Sequence, residues 1–356
     1  MKNINQLVSL IALTFVIIFN GKIMPQEIRP VRDDVGFCWI AEDVDKLMKY
    51  LNENDDSNFS KKNLIAAISP HDDYLYAGHV YAPLYKLIKT KEVVVFGVTH
   101  GTVRKEMNDP KDLLILDEYD LWKGPYKDVE VSPLREKIKN ELDTSYFIVS
   151  NKAQSLEHSI EALIPFLQYY NKDIKITPIM ITQMPLEKME EISGKLTDII
   201  IDYIKTNNLK LGEDIFFLIS NDANHYGKDF NNDKFGEDLN AHKTATELDK
   251  QIADESFNGE ITKEKVKYIT EKIWENENNK NTCPLWCGRY PIVFGLTAVS
   301  QITNKFGYGN INGKVFKYSD TFSGGVLPLK GTSLGTTAPF SLKHWVGFFS
   351  AGFYIR

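Results

Sequence analysis

The stretch LIAAISPHDDY, residues 64–74, runs from an apolar segment through a proline into a histidine and two aspartates. A short unbroken apolar run that stops at proline reads as a strand buried on both faces. His71, Asp72 and Asp73 then lie just beyond its C-terminal end, as a polar turn or as one wall of a site. Similar runs recur at 92–98, 174–181 and 214–220, with Pro178 pointing to an edge or a bulge in the third. Helical periodicity fills the intervals, at 78–88, 157–170, 185–207, 239–257, 262–275 and 289–306. Pro165 should bend the second of these helices. Strands alternating with helices predict an α/β fold on a mixed or mostly parallel sheet. LLILDEYDLWKGPYKDVEV (113–131) reads as a hairpin turning at Gly124-Pro125, and HWVGFFSAGFYI (344–355) as a late strand of the same sheet.

Bulk composition excludes several classes. A chain of 356 residues, 43% hydrophobic, suffices for one large domain or two small ones. Its net charge of −6 and the lack of a basic block argue against a nucleic-acid groove. Cys38, Cys283 and Cys287 are too few for a disulfide scaffold, and their odd number leaves one unpaired within a monomer. At the N-terminus, Lys2 and the apolar residues 7–19 match a secretory signal or an uncleaved anchor within residues 1–25. That run falls short of the ~20 apolar residues a spanning helix needs. The chain is therefore expected to be exported, periplasmic or secreted, touching a membrane only through this segment if it stays uncleaved.

Three of the seven histidines share one setting: His71 follows LIAAISP, His100 ends VVFGVTH, and His225 closes FFLISNDANH. Each lies past the C-terminal end of an apolar strand, the edge where open α/β sheets gather ligands and catalytic groups. One such histidine is usually a solvated loop residue. Three in the same setting make a shared site an even proposition. Two neutral imidazoles with one anionic ligand suit Fe, Cu or Zn and leave positions open. The anion is either a carboxylate (Asp72, Asp73, Asp222) or the thiolate of Cys287, which precedes a predicted helix whose N-terminus should lower its pKa.

The segments ISPHDDYLYAGHVYAPLYK (68–86), VVFGVTH (94–100), SLEHSIEALIPFLQ (155–168), ISNDANHYG (219–227) and CGRYPIVFGL (287–296) resemble, in order and spacing, the motifs of the Memo family. That family is also named AmmeMemoRadiSam system protein B. VGFCWIAEDVDKLMKYL (35–51) and VGFFSAGF (346–353) extend the resemblance from about residue 34 to 353, so residues 34–356 read as one Memo-like domain. The resemblance implies a fold similar to class III extradiol dioxygenases, a central sheet with helices on both faces. It implies His71, His100 and Cys287 as metal ligands, with Asp222 and His225 as catalytic groups in the same pocket. Family members are described as iron- or copper-binding and redox-active, and one animal member as recognising a phosphotyrosine peptide. Iron is the leading cofactor and copper the alternative. A small-molecule substrate or a peptide is the partner, and the reaction stays open between an Fe(II)-dependent oxidoreductase, an exported metal carrier and a binding module using the same cleft.

Two features depart from the family pattern. Asp72 and Asp73 stand where small residues are usual, either as an added ligand or as a solvated Asx-type turn. Export would set a thiolate ligand in an oxidising compartment, with Cys283 placed to form a disulfide to Cys287. It also weakens any carry-over of intracellular phosphotyrosine signalling. His158 reads either as a group orienting a ligand or as a helix-packing residue behind a Ser155 cap. His79, Tyr74 and Tyr76 read as ordinary core residues.

Overall fold

A computed structural model describes residues 26–279 and 282–356; the predicted leader, residues 1–25, lies outside them. Four parallel strands, β1 (Leu64–Ser69), β2 (Glu92–Val98), β3 (Lys175–Ile181) and β4 (Ile215–Ser220), form the centre in the order β3-β2-β4-β1. Beyond β1 the sheet turns antiparallel with β6 (Trp345–Tyr354) and then β5 (Asn312–Asp320). The late strand is thus in the sheet as expected. β5 escaped notice because NGKVFKYSD carries a glycine and two lysines that break the apolar alternation, and it is only half-buried along most of its length.

Strand periodicity assigns the two faces. Val94 and Phe96 point to one core with the helices α4 (Leu186–Thr206), α5 (Leu239–Phe257) and α6 (Arg289–Lys305), and Val93 and Val95 to another. The second core is closed by α1 (Ala41–Asn54), α2 (Tyr74–Tyr85) and α3 (Ile164–Tyr170). Helices cover both faces, and the fold is α/β with a mixed sheet. None of the described helices is long and apolar enough to cross a membrane.

Several boundaries moved for physical reasons. Pro178 sits inside β3, paired with Val95 on one side. On the other side β3 meets Val129–Val131 at residues 175–176 and Leu114–Leu116 at residues 180–181. The residue without an N–H therefore falls between two partners. The hairpin forms only between Leu121–Trp122 and Val129–Val131; Leu114–Leu116 pairs instead with β3 and Phe147–Val149. α2 begins four residues before its predicted start, directly after Asp73. The helix expected over 157–170 is not continuous: a 3-10 turn at Glu161–Leu163 precedes α3, which takes Pro165 in its first turn, where proline is tolerated. Ahead of residue 34, Ile28–Arg29 adds a parallel strand beside Leu121–Trp122, and buried Arg29 pairs with Glu161 and lies over Trp122.

Candidate metal centre

β2, β4 and β1 are neighbours, and adjacent strands lie ~4.8 Å apart. The loops that leave their C-terminal ends therefore carry His100, His225 and His71 to one place. Cys287 reaches it from the opposite direction, two residues before α6. One ligand atom from each of His71, His100 and Cys287 lies within 4.8 Å of the others, and the same holds for Asp222, His225 and Cys287. All five residues singled out from sequence form one cluster.

Hydrogen bonds fix which nitrogen each imidazole offers. His71 Nδ1 is 2.8 Å from Ser220 Oγ, and Ser220 donates its only proton to the Ser159 carbonyl at 2.7 Å. Ser220 must then accept from His71 Nδ1–H, which leaves the lone pair on Nε2. That nitrogen faces Cys287 Sγ at 3.4 Å. Two donors on one tetrahedral ion stand ~3.5 Å apart at bond lengths of ~2.0–2.3 Å, so the pair fits a shared metal.

Glu157 performs the same service for His100. Its carboxylate accepts from His100 Nδ1 at 2.7 Å and from the backbone N–H groups of His100, His158 and Ser159 at 2.9–3.0 Å. His100 Nε2 is left free for a metal. Burial alone would raise the Glu157 pKa, yet His100 and these donors hold it well below the usual carboxylate range. His158 stacks on His100 at 4.5 Å between ring centroids and meets the edge of His71 at 5.5 Å. It packs the rings of His71 and His100 and lies in a loop; Ser155 instead bonds back to the Lys152 carbonyl.

His225 donates from Nδ1 to the Ala223 carbonyl at 3.1 Å, so Nε2 carries its lone pair, and burial holds its pKa down at about 4. It is a neutral base at pH 7. Asp222 accepts from the His71 backbone N–H at 2.9 Å and places Oδ2 3.3 Å from His71 Nε2; burial pushes its pKa up to about 7.

Two expectations fail on burial. The Cys287 thiol is pushed well above its ordinary value by desolvation and by Asp222, which outweigh the helix N-terminus. All three cysteines are free, and Cys283 lines an outer cleft while Cys287 faces His71. Nor is Asp73 a solvated turn residue, while Asp72 is half-buried. Asp73 is buried and accepts from Thr337 N and Oγ1 at 2.6 and 3.0 Å, tying the start of α2 to a loop 264 residues away. Asp72 Oδ1 accepts from the Asp73 N–H at 2.6 Å. Tyr74 is core, and His79 packs against Phe348.

Because the resting thiol is protonated, metal loading must release a proton. At pH 7 and below, apparent affinity should rise about tenfold per pH unit from Cys287 alone. Protonation of His100, whose pKa Glu157 raises against its burial, adds to the release near neutrality. Calorimetry in two buffers of different ionisation enthalpy measures the proton count; a count of zero would contradict the thiol assignment.

Gly288 holds the sulfur in place. Its N–H bonds Asn221 Oδ1 at 3.0 Å, and a Cβ there would lie 2.5 Å from Asn221 Cβ and 2.6 Å from the Ser220 carbonyl. Gly288→Ala should therefore shift Cys287 away from His71 and weaken metal binding at least tenfold. Competition titration against a chelator checks this.

Two supporting groups were missed in the sequence. Ser220 looked like the end of an apolar strand, and Glu157 like a helix-dipole acid. The usable signal was that Ser220 ends the strand leading into the Asp222/His225 loop and that Glu157 directly precedes His158.

The structure thus defines an α/β protein with a His/Cys group able to hold a metal ion at the C-terminal edge of its sheet. The sequence profile of the Memo-like protein family matches residues 38–326, and the chain belongs to that family. It is 31% identical to a MEMO1 family protein of Aquifex aeolicus over 191 residues, 52% of this chain and 62% of that one. A Methanosarcina barkeri MEMO1 family protein is 28% identical over 47% of this chain and 56% of its own. One from Methanosarcina mazei is 24% identical over 78% of this chain and 86% of its own. The chain spans less than two thirds of the length of the first two.

Proposed function

We propose that His71, His100 and Cys287 hold a single iron ion and that the protein is a redox enzyme acting on a small molecule. The observation that carries this reading is the pair of oriented imidazoles. Two unrelated acceptors, Ser220 and Glu157, each take the Nδ1 proton, leaving Nε2 of both rings for one centre beside a sulfur. A purely structural cluster has no need for that arrangement. Bound iron would supply Lewis acidity and one-electron chemistry at its open positions. His225, neutral and with Nε2 free, takes a proton from a substrate hydroxyl. Asp222 faces His71 rather than His225, whose Nδ1 bonds the Ala223 carbonyl. It bonds the His71 backbone and sets a carboxyl group, raised by burial to about 7, beside His71 Nε2.

The leader read in residues 1–25 makes this an exported enzyme, loaded with metal before or during passage into an oxidising compartment. The soft thiolate favours a second reading, a copper carrier without turnover. The deciding test is the metal content of residues 26–356, purified anaerobically with reductant, beside His71→Ala and Cys287→Ser. Near-stoichiometric iron in the wild type, lost in both variants, is the expected result. Copper without oxygen consumption would select the carrier. A wild type that holds no metal and takes up no added Fe(II), Cu(I) or Zn(II) would overturn both.

A further inference from the structure

Beside the cluster lies a cavity of about 200 Å³, lined by His100, His225 and Cys287 on its inner side. Below the ~300–1,000 Å³ of drug-sized pockets, it has room for a ligand of about one ring. Its remaining walls carry Thr99, Gln183 and Tyr290 as uncharged polar groups beside two further kinds. Ile181, Phe230, Leu285 and Pro291 are apolar, and Arg104 and Arg289 are cationic. No aspartate or glutamate among the described residues lines it, in a chain whose net charge is −6.

The arginines make the charge pattern specific. The chain has six, and Arg29, Arg135 and Arg356 form ion pairs with carboxylates. Of the other three, which have no such pair among the described residues, Arg32 is exposed on the N-terminal segment. Arg104, exposed at the rim, and half-buried Arg289 both line this one cavity. Arg289 is braced: Nη1 donates to the Trp286 carbonyl at 2.8 Å and the guanidinium lies 5.0 Å over the Tyr290 ring, with no other side-chain hydrogen bond among the described residues. Arg104 projects from the short helix Gly101–Glu106 that follows His100. A guanidinium fork without a carboxylate of its own, in a recess with no acidic lining residue among those described, is built to accept one from a ligand.

We infer that the cavity is a carboxylate subsite, in which Arg104 and Arg289 grip the acid group of a small, single-ring substrate whose ring lies against Phe230 and Ile181. This rests on reading the cavity as the substrate site of the proposed enzyme. An outer cleft of about 760 Å³ shares Gln183, Phe230, Leu285, Arg289 and Tyr290 with it and gives the ligand a way in. Lys111, Lys234 and Arg289 outnumber Asp112 and Glu275 along that cleft, a balance that draws anions inward.

The test is calorimetric titration of metal-free and iron-loaded protein with 4-hydroxybenzoate, its neutral amide 4-hydroxybenzamide, and inorganic phosphate. The acid should bind the metal-free protein, and the amide at least tenfold more weakly. Arg104→Gln and Arg289→Gln should each weaken the acid by about tenfold or more and leave the amide unchanged. Arg289→Lys, which keeps the charge but loses the fork, should fall between. Equal binding of acid and amide, or of acid to wild type and to the double glutamine variant, would overturn the assignment. So would tight phosphate binding with no acid binding. Because the metal-free arm does not involve the ion, failure here leaves the metal reading standing, and failure to bind metal leaves this result readable.

Discussion

Glu157→Gln should lower the stability of the metal-free protein by roughly 3 kcal/mol and its iron affinity by about 10–100-fold. The wild-type carboxylate is fully buried and acceptor-only, and all four groups aimed at it are N–H donors. Glutamine keeps the shape but turns one acceptor into a donor. With its oxygen toward Nδ1 of His100, the amide nitrogen meets the His100 backbone N–H, and one bond is replaced by an opposed pair. With the reverse choice three bonds are lost. In the second orientation His100 is freed to rotate or to shift its proton to the nitrogen a metal needs; in the first it keeps its Nδ1 bond but loses the carboxylate's charge. The pH dependence separates the charge from the shape. A carboxyl whose pKa is depressed on folding adds stability above its unfolded value, near ~4.3, and that part is lost as pH falls through the lower folded value. Glutamine has no such dependence, so the gap between wild type and variant should narrow on acidification. Urea unfolding from pH 7 down to pH 3 measures it. A gap that stays constant would mean that the carboxylate's charge contributes nothing.

What was legible in the sequence follows from where the physics is local. Unbroken apolar runs announced β1 to β4 because strands buried on both faces cannot afford polar residues, and the abrupt change to His71, His100 and Asp222 marked the sheet edge. Cys287 stood out only by its motif. The unread parts depend on partners far along the chain. Asp73 looks like a turn residue until Thr337 is placed beside it, and Glu157 looks like a helix start until His100 arrives 57 residues earlier in sequence. The expected helix over 157–170 had the right periodicity, but Glu157, His158 and Ser159 are drawn out of it by their bonds to the cluster. Cys287 reversed its expected direction because a helix end supplies a modest field, whereas full burial removes the water that would solvate a thiolate.

Asp249 should prove the second decisive group, although it touches no ligand. It is a buried carboxylate on α5, a helix whose polar residues gave no reason to single it out. It accepts from Trp286 Nε1, from the Asn224 backbone N–H at 3.2 Å and from Tyr318 Oη at 2.6 Å. Trp286 is joined to Cys287 and Asn224 to His225, so one carboxylate fixes both segments. Asn224 Oδ1 then accepts from Leu285 N at 3.0 Å, and His225 N donates to the Leu285 carbonyl at 3.1 Å, locking the segments to each other. Asp249→Ala leaves buried donors without acceptors and should destabilise the fold by about 3–5 kcal/mol. Asp249→Asn is milder, about 1–2 kcal/mol at pH 7, because the amide oxygen keeps Trp286, Tyr318 can reverse its bond, and only the Asn224 N–H is lost. Burial holds the Asp249 carboxyl up at about 6. An acid raised on folding binds its proton more readily in the native state, so this group adds stability as pH falls from above 6 toward its unfolded value of ~3.9. Asparagine cannot follow, and its deficit against wild type should grow by roughly 2 kcal/mol between pH 7 and pH 4. Iron affinity of the asparagine variant should fall about tenfold at pH 7, measured by anaerobic chelator competition well below its melting temperature. A variant that loses stability as predicted but binds iron like the wild type would show that Cys287 is positioned by Gly288 and Asn221 alone.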